Sequence, residues 1–183
     1  MTTYRTARLL LRPFVAEDLE PLLATYSRGD VARYLYQGPR SEPEVRELLD
    51  KKMAARAIAA RGDLLSLAVV VADTREMAGD CVLHWLDNEH RQGEIGFVVH
   101  PDHQGRGYAT EAAGALLRIA FEDLELHRVV GRLEARNLAS ERVLQKLGMR
   151  REALFVENEF VKEEWQSELV YAMLRTEWLA TRG

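Results

Sequence analysis

Apolar residues in the first hundred positions follow two spacings, one typical of strands and the other typical of helices. Alternating or continuous apolar runs predict strands, and these lie at 7–13, 64–72, 77–85 and 94–99. Spacings of three and four residues predict a helix at 18–26 and another from Ser41 to about Ala60, with Glu44 as a capping-box partner. The connections between the last three strands are short, which predicts an antiparallel meander.

After residue 100 the pattern alternates between helical and strand-like segments. It predicts helices at 108–121 and 139–147 and strands at 128–134, 151–160 and 165–174. The strand–loop–helix–strand order from 94 to 134 predicts a crossover between two neighbouring parallel strands. The predicted fold class is therefore α/β (α+β), with a mixed, largely antiparallel twisted sheet of about seven strands flanked by helices.

Composition changes this picture mainly by excluding classes of protein. The 183 residues, 47% of them apolar and 30% charged, suit one domain over 1–183. The chain shows neither a signal-peptide core nor an apolar run of membrane-spanning length, so we expect a cytoplasmic protein with no membrane partner. The net charge of −4 argues against a nucleic-acid partner, whereas a negative cleft would attract an amine.

The most informative segment is 103–110, which reads His-Gln-Gly-Arg-Gly-Tyr-Ala-Thr and leads into a helix. Two glycines allow a tight turn and a close backbone approach to a ligand. The amides at a helix start lack partners within the helix and favour an anion, so the segment predicts a phosphate or pyrophosphate site. A P-loop would require Gly-Lys-Ser/Thr, and a dinucleotide fingerprint would require a third Gly or Ala where this chain has Thr110.

Several motifs, in the right order, resemble those of the GNAT acetyltransferase superfamily. Residues 104–109 match its acyl-CoA signature Gln/Arg-x-x-Gly-x-Gly/Ala, and residues 94–99 resemble its fourth strand. The second conserved block and the chain ends are similar too, at 137–140, 143–149, 6–13 and 164–171. The two end segments resemble the ribosomal-protein-alanine N-acetyltransferases, the RimJ/RimL type. The resemblance implies a GNAT-type sheet and acetyl-CoA as cosubstrate.

The resemblance also implies which residues hold the coenzyme. Backbone groups of the fourth strand would pair with the pantetheine arm. The amides from Gln104 to Thr110 would hold the pyrophosphate; we call residues 104–107 the glycine loop. Residues of the second conserved block would line the far side of the groove. The residues implied are Phe97, Val98, Val99, Gln104, Gly105, Arg106, Gly107, Tyr108, Ala109, Thr110, Asn137, Ser140 and Arg142.

Two residues are predicted to act in catalysis. The acceptor amine must lose a proton before it can attack, and Glu94 has the position of the acid that several relatives use as a base, here through a water. Many relatives have a tyrosine near the leaving thiolate where this chain has Leu144, so Ser140 is the nearest alternative donor. Ser140 also fits a purely structural role at a helix start.

The acceptor end of the site is less defined by the sequence. Tyr34, Tyr36, His84 and Trp85 are candidate substrate-binding residues, and no metal-ligand spacing is present. The acceptor is an amine-bearing small molecule or a peptide N-terminus, and the resemblance is compatible with a homodimer. One alternative is a non-catalytic acyl-CoA-binding or sensing module, and another is a nicotinamide-nucleotide protein.

Overall fold

The computed structural model describes residues 2–181 and shows one sheet flanked by helices. The sheet has eight strands in the order β1-β2-β3-β4-β5-β6-β8-β7. The strands are β1 (Tyr4–Arg5), β2 (Leu9–Arg12), β3 (Leu64–Val71), β4 (Met77–Asp87), β5 (Gln92–Val99), β6 (Arg128–Glu134), β7 (Arg150–Val161) and β8 (Glu164–Leu174). Six neighbouring pairs are antiparallel and only β5 with β6 is parallel, so the predicted mixed, largely antiparallel sheet is confirmed.

Within residues 2–181, six α-helices accompany the sheet. They are α1 (Leu19–Tyr26), α2 (Gly29–Ala32), α3 (Glu42–Ala54), α4 (Tyr108–Arg118), α5 (Leu138–Lys146) and α6 (Arg175–Ala180). A π-helical turn, Ile119–Asp123, extends α4. The expected capping box is present, since the Glu44 carboxylate accepts hydrogen bonds from both the backbone N–H and the hydroxyl of Ser41 at 2.7 and 2.6 Å. Within residues 2–181, no helix has the length and apolar character needed to cross a membrane.

The sheet buries a core on each face. On one face, α4 covers the meander strands, and Leu116, Phe121 and Leu83 are fully buried there. On the other face, α1 and α3 cover β2 and β3, with Leu22 and Val45 at the centre of a smaller cluster. Because side chains alternate along a strand, odd-numbered residues of β5 face α4 and even-numbered ones face the other side.

The sheet has eight strands, in line with the predicted number of about seven, and the two-residue strand β1, which pairs with β2, is too short to show periodicity. One predicted feature of the fold needs correction. The predicted helix from Ser41 to Ala60 ends at Ala54 instead. The alanine-rich stretch that follows is held outside the helix. The Ala55 carbonyl accepts the backbone N–H of Ser66 at 2.8 Å, and the N–H groups of Ala59 and Ala60 bind the Asp63 carboxylate, each at 2.9 Å.

Candidate active site

A wedge-shaped opening divides the sheet between β5 and β6. The two strands pair at only three positions, of which the last joins Glu94 to Val130. Beyond it, β5 stays paired with β4 as far as Val99, and β6 stays paired with β8 as far as Glu134. Within residues 2–181, the facing edges at 95–99 and 131–134 have no partner strand, so their backbone groups can bind an extended ligand. We call this opening the wedge.

A groove of about 390 Å³ lies between the end of β5, the loop before α4 and the start of α5. We call it the loop-side groove. Among the residues that line it are Phe97, Val98, Val99, Gln104, Gly105, Gly107, Tyr108, Ala109, Thr110, Asn137, Ser140 and Arg142. These are all the residues predicted to hold the coenzyme except Arg106. The fold therefore gathers predicted coenzyme residues from three segments, within 97–99, 104–110 and 137–142, around one groove.

Two glycines with positive φ shape the glycine loop. Gly105 has φ 74°, and Gly107, at the N-cap of α4, has φ 81°. Residues with a side chain are strained in this left-handed region. The loop is also tied to the wedge, because the Gln104 side-chain amide donates a hydrogen bond to the carbonyl of Val99 at 3.0 Å. The backbone N–H groups in the first turn of α4 have no acceptor within the helix. They lie at the positive end of the helix dipole, which favours a bound anion.

Arg8, which precedes β2, binds both this loop and α4. Its guanidinium donates to the Arg106 carbonyl at 2.9 Å and to the Glu111 carboxylate on α4 at 2.8 Å. It also lies 5.0 Å from the centre of the Tyr108 ring, a cation–π arrangement. The Arg106 carbonyl is thus bonded to Arg8, and Arg106 is the one predicted coenzyme residue outside the groove lining.

A second cavity, of about 340 Å³, opens on the sheet at the other side of the wedge. We call it the sheet-side cavity. Its walls come from β4, β5, β6 and β8, from one residue each of α1, α3 and β7, from the start of α5, and from the segment between α2 and α3. It shares six lining residues with the loop-side groove, namely Tyr34, Leu35, Phe97, Val98, Asn137 and Ser140. The two spaces therefore meet in the wedge.

Ser140 stands at this junction at the start of α5. The Asn137 side chain caps α5 by accepting the backbone N–H of Ser140 at 3.1 Å, so the cap uses the Ser140 backbone and not its hydroxyl. Leu144, one turn later, is 2% exposed and also lines the sheet-side cavity. Its side chain packs on Gly131 of β6, where a Cβ would lie 2.9 Å from it. The position at which many relatives carry a tyrosine therefore faces the cavity without a hydroxyl.

Glu94 lies at the closed end of the wedge, on the sheet face opposite α4. Its carboxylate contacts the Nε of Arg132 at 3.5 Å, and its cross-strand neighbour on β4 is His84. Burial raises the pKa of Glu94, and the nearby Glu168 adds to the rise. Arg132 and His84 lower it but do not cancel the effect of burial. Glu94 is therefore a stronger base than a solvated glutamate.

Three carboxylates converge near the hydroxyl of Tyr36. This hydroxyl donates a hydrogen bond to Glu159 of β7 at 3.1 Å. Partial desolvation and the negative charges of Glu159, Glu168 and Glu94 together raise the pKa of Tyr36 to about 12, although the residue is 67% exposed. The only cation that contacts any of these carboxylates within residues 2–181 is Arg132, which bridges Glu168 and Glu94. The three carboxylates and the one guanidinium leave an excess of two negative charges near the Tyr36 hydroxyl.

A buried ion pair forms another wall of the sheet-side cavity. Lys52 of α3 lies 2.6 Å from the Asp80 carboxylate of β4, and the two side chains are 8% and 3% exposed. The hydroxyl of Tyr26 donates a second hydrogen bond to Asp80 at 2.9 Å. Because the pair is neutral as a unit, it does not change the charge excess described above.

The four predicted substrate-binding residues lie at different places relative to the sheet-side cavity. Tyr34 and Tyr36 line the sheet-side cavity. His84 is outside the lining but is the cross-strand neighbour of Glu94. The prediction for Trp85 is wrong in position, because alternation turns it to the α4 face, where it packs on the core and its indole donates to the Asp87 carbonyl at 3.0 Å.

Sequence reasoning missed several charged residues of this region. Arg132, Glu159 and Glu168 come from three different strands, and only the strand register brings them together. The pairing of Lys52 with Asp80 likewise depends on how α3 crosses β4. In the sequence, each of these residues shows only as a charged residue within an otherwise apolar strand or helix face. Such a residue is equally typical of a solvated position.

Comparisons with known proteins agree with this geometry. The family described as Acetyltransferase (GNAT) domain matches residues 8–150. An uncharacterized N-acetyltransferase, YnaD of Bacillus subtilis, is 33% identical over 173 residues, which cover 94% of this chain and 97% of that protein. The spermidine N(1)-acetyltransferase of Escherichia coli is 25% identical over 171 residues, covering 93% and 88% of the two chains.

Solved structures show the same fold. The crystal structure of a GNAT-family acetyltransferase from Bacillus anthracis superposes with a TM-score of 0.87 at 33% identity. The match covers 96% of this chain and 100% of that one. The family match spans well over half of the residues and the relatives align along nearly their whole length. The chain therefore belongs to the GNAT family of acetyltransferases and is an acetyl-CoA-dependent N-acetyltransferase.

Proposed function

We propose that the chain acetylates a primary amine that approaches from the sheet-side cavity while the coenzyme occupies the loop-side groove. The observation that carries this proposal is the meeting of the two spaces in the wedge, with Glu94 at its closed end. Acetyl-CoA supplies the acetyl thioester, the amine nitrogen bonds to the acetyl carbon, and the carbon–sulfur bond breaks. The protein has to orient both substrates, take a proton from the amine and assist the thiolate.

The residues around the loop-side groove suit the coenzyme. The unpaired edge of β5 offers backbone donors and acceptors that match the amides of pantetheine, as in strand addition. The amides of the glycine loop and the first turn of α4 suit the pyrophosphate. Gly105 and Gly107 permit this backbone course because of their positive φ. We place Arg142 and Asn137 on the opposite wall, as the groove lining supports.

Glu94 is the proposed general base. Its raised pKa strengthens it as a proton acceptor. The side chain lies at the end of the wedge and not in the cavity wall, so the proton passes through one water molecule. The acceptor amine is thereby deprotonated next to the unpaired edge of β5.

Ser140 is the proposed donor to the leaving thiolate. Ser140→Ala should lower kcat about tenfold or more, since a hydrogen bond to a charged group contributes about 1.5–3 kcal/mol. The cap of α5 uses the backbone of Ser140, so the thermal midpoint should stay unchanged. The measurement is kcat at saturating acceptor together with a melting curve. An unchanged kcat would assign Ser140 to the structure of the helix start alone.

The acceptor is proposed to carry a second positive charge. The excess of two negative charges from Glu94, Glu159, Glu168 and Arg132 favours such a cation over a singly charged amine. The similarity to a spermidine N(1)-acetyltransferase is consistent with this class of acceptor. A protein N-terminus, which the RimJ/RimL resemblance suggests, fits the same site if a positively charged side chain accompanies its α-amine.

Two acceptors of equal length test this charge preference. We expect 1,4-diaminobutane to be acetylated with a kcat/KM about tenfold above that of 4-aminobutan-1-ol, because only the diamine has a second ammonium for Glu159. Glu159→Gln should reduce this ratio severalfold. Glu163→Gln, an exposed residue of the β7–β8 turn outside the cavity lining, should leave it unchanged. Equal rates for the two acceptors in the unaltered protein would refute the preference but not the acetyl transfer.

A further inference from the structure

One guanidinium serves two carboxylates beside the proposed base. Arg132 of β6 donates a hydrogen bond from Nη1 to Glu168 of β8 at 3.0 Å. The Nε of the same side chain lies 3.5 Å from the carboxylate of Glu94 on β5. The contact with Glu168 has hydrogen-bond length, whereas the contact with Glu94 is longer than a normal hydrogen bond. The guanidinium is therefore engaged mainly with Glu168.

The register of the sheet creates this arrangement. β6 lies between β5 and β8, with Glu94 opposite Val130 on one side and Glu168 opposite Glu134 on the other. Arg132 is two residues from each of these partners along β6, so all three charged side chains emerge on the same face. The guanidinium stands between the two carboxylates and can reach either of them.

Burial explains why Glu168 has the closer contact. The Glu168 side chain is 8% exposed, whereas that of Glu94 is 32% exposed. A buried carboxylate without a cation is strongly unfavourable, so Glu168 has the greater need of the guanidinium. Glu94 faces His84 from β4, Arg132 from β6, Glu168 from β8 and Tyr36 from the segment between α2 and α3.

We propose that Arg132 and Glu168 position the proposed base: Glu168 holds the guanidinium just short of Glu94, which leaves a Glu94 oxygen free to accept the acceptor's proton. Arg132 is thus a positioning residue that keeps Glu94 ionised and oriented. Glu168 prevents a closed, bidentate ion pair that would make Glu94 a weak base. The inference rests on the proposed role of Glu94.

The pH dependence of kcat/KM tests this pairing, because it should shift in opposite directions in two variants. In the unaltered enzyme, activity falls on the acid side as Glu94 becomes protonated. Arg132→Gln removes a nearby positive charge, so this acid limb should move up by about 0.5–1 pH unit. Glu168→Gln removes a negative charge and frees Arg132 for Glu94, so the limb should move down by a similar amount, about 0.5–1 pH unit.

Control variants keep the test decisive. Arg132→Gln leaves Glu168 buried without a cation and threatens folding. Glu168→Gln leaves Glu94 as the partner of Arg132, so the downward shift of the limb in this variant tests the proposal even if Arg132→Gln does not fold. Arg132→Lys retains the charge and should hold the acid limb within about 0.3 pH unit of its original place. Arg128→Gln removes an arginine from the same strand that binds Glu152 instead, and should not move the limb.

The possible results separate this inference from the proposed function. Opposite shifts in the two variants support the pairing. Shifts in the same direction, or no shift while Glu94→Gln abolishes the acid limb, would overturn the pairing but leave Glu94 as the base. If the acid limb persists in Glu94→Gln, the proposed base is wrong and the pairing falls with it.

Discussion

Replacing Glu94 with glutamine should lower kcat/KM for the amine about 10²- to 10³-fold, the usual effect of losing a general base. The variant keeps the size and hydrogen-bonding shape of the side chain but cannot take up a proton. Its affinity for acetyl-CoA should stay within about twofold, because Glu94 lies outside the loop-side groove. Initial rates over a pH series, with acetyl-CoA binding measured by calorimetry, provide the comparison.

A matched acid controls for the loss of a charge. Glu89 is an exposed glutamate in the β4–β5 turn, five residues before Glu94 and outside both cavities. Glu89→Gln should leave kcat/KM unchanged. If Glu94→Gln retains full turnover, Glu94 is not the base. If acetyl-CoA binds and no amine in a broad panel is acetylated by the unaltered protein, the non-catalytic binding module becomes the better account.

The second large effect concerns stability. Asp80→Asn should lower the free energy of unfolding by about 3–5 kcal/mol, because it leaves the buried ammonium of Lys52 without a counter-charge. The two groups lie 2.6 Å apart and are almost fully buried. Urea denaturation, with the slope checked for two-state behaviour, measures the change.

Two further variants identify the cause of that loss. The double variant Lys52→Met with Asp80→Asn removes both charges and should regain most of the stability, since an apolar replacement of a buried pair is often neutral. Lys51→Met removes the adjacent lysine, whose side chain is 71% exposed, and should cost no more than about 0.5 kcal/mol. A loss from Lys51→Met as large as that from Asp80→Asn would show that burial of the pair does not matter.

The order of elements could be read from the sequence because local signals agree with the final fold. The Ser41–Glu44 capping box and the apolar runs of the meander depend on neighbouring residues alone. The helix predicted to extend to Ala60 ends at Ala54. The residues after it bind Asp63 and Ser66 instead, and contacts of this kind leave no periodic signal.

The two halves of the candidate site differed in predictability for a similar reason. The proposed coenzyme side has one strong local signal, the glycine loop before α4, whose course requires positive φ at Gly105 and Gly107. The proposed acceptor side depends on charges from β5, β6, β7 and β8, which meet only through the register of the sheet. Because side chains alternate along β4, His84 lies on the same face as Glu94 whereas Trp85 packs on the core. The register is not visible in a single sequence.

The central claim is that coenzyme and amine meet in the wedge between β5 and β6. A crystal structure with coenzyme A and a diamine bound tests this most directly. The account predicts pantetheine paired with the free edge of β5 at 95–99, the sulfur beside Ser140, and the amine between the wedge and Glu159. Coenzyme bound away from the glycine loop, or an amine bound outside the sheet-side cavity, would contradict it.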